Sequence, residues 1–110
     1  MGDLFVLALP DGADLLMCDE GGVWRLVHGS GGVSLVDEAH ARVLALGGLL
    51  ALYDAAHRVL EEARDAQSEP LRLEGVGMAR AYYESRAFVE GNLGRVCPPT
   101  LRPLDLGGWR

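Results

Sequence analysis

Short apolar runs separated by turn residues open the chain. Leu4–Leu9 is closed by Pro10-Asp11-Gly12, Leu15–Cys18 by Asp19-Glu20-Gly21-Gly22, and Val23–His28 by Gly29-Ser30-Gly31-Gly32. Runs too short for helices, punctuated this regularly, predict a three-stranded antiparallel meander over residues 1–32. A meander has two open edges and one face that must be covered, and the cover has to come from downstream.

The pattern then changes period. Over 35–66, Val36, Val43, Leu46, Leu50, Tyr53 and Leu60 form one helical stripe, and Leu49, Leu52, Ala56, Val59 and Ala63 a second. Ser34 or Asp37 can cap the start of this helical region. Around Gly47 it is apolar on every side, which predicts cover on more than one face. A sheet on one side and a second copy of the chain on the other satisfy that, with Val43, Leu46, Gly47, Gly48, Leu50 and Tyr53 as the homodimer interface. Two interior glycines cost a helix about 2 kcal/mol, and no turn-forming residue flanks them. A continuous helix with a close-packed neighbour is therefore favoured over a hairpin broken at Gly47-Gly48.

Gln67-Ser68-Glu69-Pro70 reads as the end of this region followed by a loop, because the residue before a proline avoids the helical conformation. A second helix is predicted over 75–91, with Val76, Ala79, Tyr83 and Ala87 on one stripe and Gly91-Asn92 as a left-handed stop. Residues 95–110 contain Pro98, Pro99 and Pro103 and read as an extended tail, with Trp109 as an anchor. The whole is a single α+β domain spanning 1–110.

Composition narrows the chemistry. All ten basic residues are arginine, and lysine and isoleucine are missing, a bias expected of a GC-rich bacterial or phage genome. Without lysine there is no Schiff-base lysine, Ser-Lys dyad or phosphate-loop lysine. The net charge of −6 is uneven: residues 1–66 carry 4 Arg against 11 acids, and residues 67–110 carry 6 Arg against 5. That split favours a protein partner or self-assembly over duplex binding, which needs a basic footprint. Two cysteines and no leader-like segment suggest a reduced, cytoplasmic setting. The longest apolar stretch, Val43–Tyr53, is 11 residues, short of the roughly 18 that suggest a membrane span.

Four motifs carry candidate chemistry. Asp37-x-x-His40 and Asp54-x-x-His57 repeat an acid and a histidine at helical spacing, as in bundles that bind two divalent metals between facing helices. On one straight helix the pairs stand roughly 25 Å apart. Only a hairpin at the glycines or an antiparallel dimer would join Asp37, His40, Asp54 and His57 into a site. Val33–Val36 followed by Asp37-Glu38-Ala39-His40 resembles the Walker B box of helicases over eight residues. That resemblance implies a magnesium-bound nucleotide, whose phosphate loop needs the lysine this chain lacks. Arg80, Tyr82, Tyr83 and Arg86 interleave cations and aromatics, an arrangement suited to single-stranded nucleic acid. Ser30, Ser34, Ser68 and Ser85 have no nucleophile-elbow context, and Cys18 and Cys97 read as small apolar groups.

The resulting expectation is a non-enzymatic interaction or regulatory protein acting as a homodimer, without a cofactor and without a membrane. A divalent-metal protein and a single-strand nucleic-acid binder are the alternatives.

Overall fold

The computed structural model describes residues 4–106, so the expected Trp109 anchor lies outside the described residues. Four strands come first: β1 (Phe5–Ala8), β2 (Leu15–Cys18), β3 (Trp24–Val27) and β4 (Val33–Val36). Two helices follow, α1 (Glu38–Ala66) and α2 (Glu69–Leu93). The strands form one antiparallel sheet in the order β1-β2-β3-β4. The class is α+β, as expected, but the meander has four strands rather than three. Gly29–Gly32 does not end the sheet; His28 N–H donates to the Gly32 carbonyl at 2.8 Å, and Gly31 takes φ 103°, so the cluster is one more hairpin turn.

The turns before it are built alike. Asp11 Oδ1 accepts from Ala13 N and Asp14 N, and Asp19 Oδ1 accepts from Gly21 N and Val23 N. In each, a glycine in the left-handed region (Gly12, φ 73°; Gly22, φ 75°) completes a turn that the aspartate side chain has started.

Asp37 caps α1, its Oδ1 accepting from His40 N at 2.8 Å. The helix then runs unbroken through Gly47 and Gly48 to Ala66. Its length of about 43 Å accounts for the molecule's 46 Å long axis. The loop expected around Pro70 is absent. Gln67, at φ 52°, closes α1 by donating to Ala63 O and Arg64 O, and Ser68 at once caps α2 by accepting from Leu71 N. Pro70 sits in the first turn of α2, where a missing N–H costs nothing. At the other end α2 passes Gly91 and Asn92 and stops at Gly94, φ 79°.

The sheet's inner face and both helices enclose the core. Phe5, Cys18 and Trp24 form one cross-strand row, and Leu7, Leu16 and Leu26 the next. Phe5 stacks on Phe88 of α2 at 4.5 Å between ring centroids, with Trp24 edge-on to both rings. Both helices reach the sheet and pack along each other, so α1 needs two apolar stripes: Gly48 meets Leu7 of β1 and Leu60 meets Gly75 of α2. By length and composition α1 is the one helix among the described residues apolar enough to cross a membrane. Here Ala41, Ala45, Leu49, Ala56 and Leu60 are buried within the fold.

After Gly94 the chain runs extended along the helices, with one turn closed by Leu101 N and Pro98 O. Tyr53 O–H donates to Arg102 O at 2.6 Å, and Leu104 N donates to Tyr83 Oη at 2.9 Å. Leu104 is buried between these two attachments.

Candidate functional site

The sheet's outer face is as apolar as its inner one. Register places Val6, Met17, Arg25 and Leu35 in one outward row and Ala8, Leu15, Val27 and Val33 in the next. Seven of these eight positions are apolar, whereas a one-sided antiparallel sheet alternates apolar and polar. Leu35 is 74% exposed, Val33 59% and Val6 46%. The single charge on the face, Arg25, is tied to Asp19 by a 2.8 Å ion pair, and that bond holds the Asp19 carboxyl below its ordinary range.

A second group of residues gathers at the end of the sheet, on the inner side but beyond the cover of the helices. One register step past Leu15↔Val27, Asp14 stands across from His28. Ser34 of β4 is the diagonal neighbour of His28 across the third hairpin. His28 Nε2 lies 3.0 Å from Ser34 Oγ, and His28 Nδ1 lies 3.7 Å from Asp14 Oδ2. The other oxygen of Asp14 accepts from Gly29 N at 3.0 Å. Gly29 packs so tightly there that a Cβ would stand 2.5 Å from the Ala13 carbonyl oxygen, so only glycine fits. Sequence reasoning passed over Asp14 and His28 and set Ser34 aside; the signal that unites them is the register of two successive hairpins.

The residues singled out from sequence are placed as follows. In one chain the two Asp-x-x-His pairs stay apart on the continuous helix. Asp37 is the cap, and His57 pairs with Glu61 at 3.1 Å and stacks on Tyr53. No cluster of three or more metal-ligating side chains occurs among the described residues. Of the expected interface positions, Gly48 is buried, Leu46, Gly47, Leu50 and Tyr53 are half-buried, and Val43 is 70% exposed. The second cover of α1 is α2 of the same chain, so that double stripe does not by itself require another copy.

In α2, Tyr82 is fully buried, with ring contacts to Tyr53 and Tyr83, so it offers no free face for a base. Arg86 reaches Glu90 Oε1 at 3.0 Å and Tyr82 Oη at 3.2 Å. Arg80 and Tyr83 stay at the surface. Glu90 Oε2 accepts from Val96 N at 2.8 Å and Cys97 N at 2.9 Å, which ties the tail to α2. Burial raises the Glu90 carboxyl, but those two N–H groups together with Arg86 outweigh it and leave the group lowered. Burial pushes the Tyr82 hydroxyl up to about 12 and raises the Cys97 thiol as well.

Comparison with protein-family models, with curated proteins and with solved structures finds no match.

Proposed function

We propose that this chain is a small interaction protein that works as a homodimer, with the outer face of its sheet as the contact. The observation that carries this is the pair of outward rows, apolar at seven of eight positions, of which Val6, Ala8, Val33 and Leu35 are exposed and Leu15, Met17 and Val27 half-buried. Val33 and Leu35 of β4 and Val6 of β1 stand exposed on this face with Leu15, Met17 and Val27 between them, a contiguous apolar patch of the kind that marks an interaction site and not a scatter of single residues.

A second copy suits the face better than a charged partner. The chain carries a net charge of −6 and repels itself elsewhere, but this face holds no acid, and its one arginine is already neutralised. Two such sheets stack about 10 Å apart with their strands nearly aligned, interleaving Leu35, Val33 and Met17 with their counterparts. Both cysteines are free and buried, which agrees with a reduced, cytoplasmic setting.

Sedimentation at micromolar concentration tests the reading. The wild type is expected to run as a dimer and Leu35→Asp as a folded monomer. Val43→Asp, on the exposed side of α1, is expected to leave the dimer intact. A monomeric wild type overturns the proposal. A dimer that survives Leu35→Asp but is lost in Val43→Asp moves the contact to α1.

A further inference from the structure

We propose that Ser34, His28 and Asp14 form an acyl-transfer site that hydrolyses small, activated esters. Ser34 is the nucleophile, His28 its general base, and Asp14 a positioning residue.

The order of contacts is that of a serine hydrolase: hydroxyl to Nε2, and carboxylate to Nδ1 of the same ring. Asp14 divides its two oxygens. One is fixed by Gly29 N, which orients the carboxylate, and the other faces His28 Nδ1. A carboxylate at Nδ1 favours the proton there and leaves the Nε2 lone pair free to accept from Ser34 Oγ–H. The three residues come from β4, the β3–β4 turn and the lead-in to β2, so the register of the sheet holds them. No flexible loop is needed.

Access and an oxyanion donor come from the position of β4. Ser34 faces the inner side of the sheet, yet it is exposed because the helices do not reach this corner. The Gly32 position opposite His28 carries no side chain, which leaves the ring edge open. Since His28 and Gly32 form a hydrogen-bonded pair, the ladder alternates so that Ser34 bonds inward to β3 while Val33 and Leu35 turn their backbone groups to the open edge. The Leu35 N–H, from the residue following the nucleophile, is thus a donor for a developing oxyanion.

The chemistry balances with water as the only co-reactant. Ser34 Oγ attacks the ester carbonyl carbon while His28 Nε2 takes the hydroxyl proton. The carbon–oxygen bond to the leaving alcohol then breaks, and His28 returns the proton to it. Water repeats the sequence: its oxygen bonds to the acyl carbon, its proton passes through His28 to Ser34 Oγ, and the acid leaves. Ser34 is exposed at this corner, so it suits short acyl groups with good leaving groups. Ser34 points away from the face that carries Leu35, and this activity stands independently of the dimer.

Two measurements on the full chain test the proposal: turnover of p-nitrophenyl acetate, and covalent labelling by a fluorophosphonate, mapped by mass spectrometry. The wild type is expected to turn the ester over and to take the label on Ser34. Ser34→Ala should lose both at an unchanged melting temperature. His28→Asn should slow labelling about 100-fold. Asp14→Asn keeps an oxygen for Gly29 N, so its stability should hold. It is nevertheless expected to shift the His28 tautomer, seen in the ring nitrogen NMR spectrum, and to slow labelling about 10-fold or more. A wild type without label on Ser34 overturns the proposal. So does ester turnover that persists in Ser34→Ala, or labelling that ignores His28→Asn; either result leaves the three residues as a clamp on the hairpin.

Discussion

Gly48 of α1 lies so close to Leu7 of β1 that a Cβ at position 48 would stand 2.8 Å from Leu7 Cδ2 and 3.0 Å from the Ala8 carbonyl oxygen. Its neighbour Gly47 meets nothing nearer than Pro10, at 3.7 Å. One glycine is therefore required by packing and the other is not. Gly47→Ala should stabilise the protein by about 0.5–1 kcal/mol, the helix-propensity gain. Gly48→Ala should destabilise it by about 1–3 kcal/mol, because the added methyl meets backbone as well as the end of a leucine. Chemical denaturation of the two single variants checks this, and equal effects of the same sign would contradict it.

The same contrast recurs in α2. A Cβ at Gly75 would stand 2.7 Å from Leu60 Cδ2 and 3.3 Å from the Leu60 backbone nitrogen, whereas Gly77 has open space. Gly75 is thus the contact point of the two helices. Gly75→Ala is expected to lower the melting temperature by several degrees (about 4–8 °C per kcal/mol for a domain of this size), and Gly77→Ala to raise it.

What was legible in the sequence, and what was not, follows the range of the interactions. The first three strands are set by local pattern and can be read directly, whereas the sequence leaves α1 as long or broken at Gly47-Gly48 and its cap as Ser34 or Asp37, alternatives that packing against β1 and the pairing of β4 decide. Val33–Val36 is not legible as a strand because Gly29–Gly32 resembles an end as much as a turn, and only pairing with β3 decides which. Ser68-Glu69-Pro70 is ambiguous for a related reason: a proline that disfavours a helix before it favours one after it, and here it opens α2. The candidate sites suffered most. Asp37-x-x-His40 and Asp54-x-x-His57 are conspicuous in sequence yet far apart along α1. Asp14, His28 and Ser34 look unrelated until two hairpin registers bring them together.

Glu90 couples the tail to pH. Its folded carboxyl is lowered because Val96 N, Cys97 N and Arg86 all favour the charged form over the burial that opposes it. A lowered folded value means that the stabilisation is fully present above the ordinary carboxylate range. It is lost as the pH falls from there through the folded value. Urea midpoints should therefore decline on acidification across that window. In Glu90→Gln the midpoints should start lower, corresponding to a loss of about 1–3 kcal/mol in stability, and depend less on pH. A variant with the same acid dependence as the wild type would place the titrating group elsewhere.

Cys97 offers a local reading of that attachment. It is 1% exposed, its thiol is raised by burial, and its own backbone N–H is one of the two bonded to Glu90. A raised, buried thiol has little thiolate and no access for a reagent, so native Cys97 should react with a disulfide probe only when the tail lifts from the helices. Cys18, also 1% exposed and raised by burial, belongs to the sheet and has no part in that opening. Glu90→Gln should accelerate labelling of Cys97 while leaving Cys18 at its wild-type rate. Tyr83→Phe, which removes the acceptor for Leu104 N farther along the tail, should act in the same direction. Peptide mapping of the labelled thiols separates the two sites. Parallel acceleration at Cys18 and Cys97 would mean that the variants loosen the whole fold, and that the tail is not a separately opening unit.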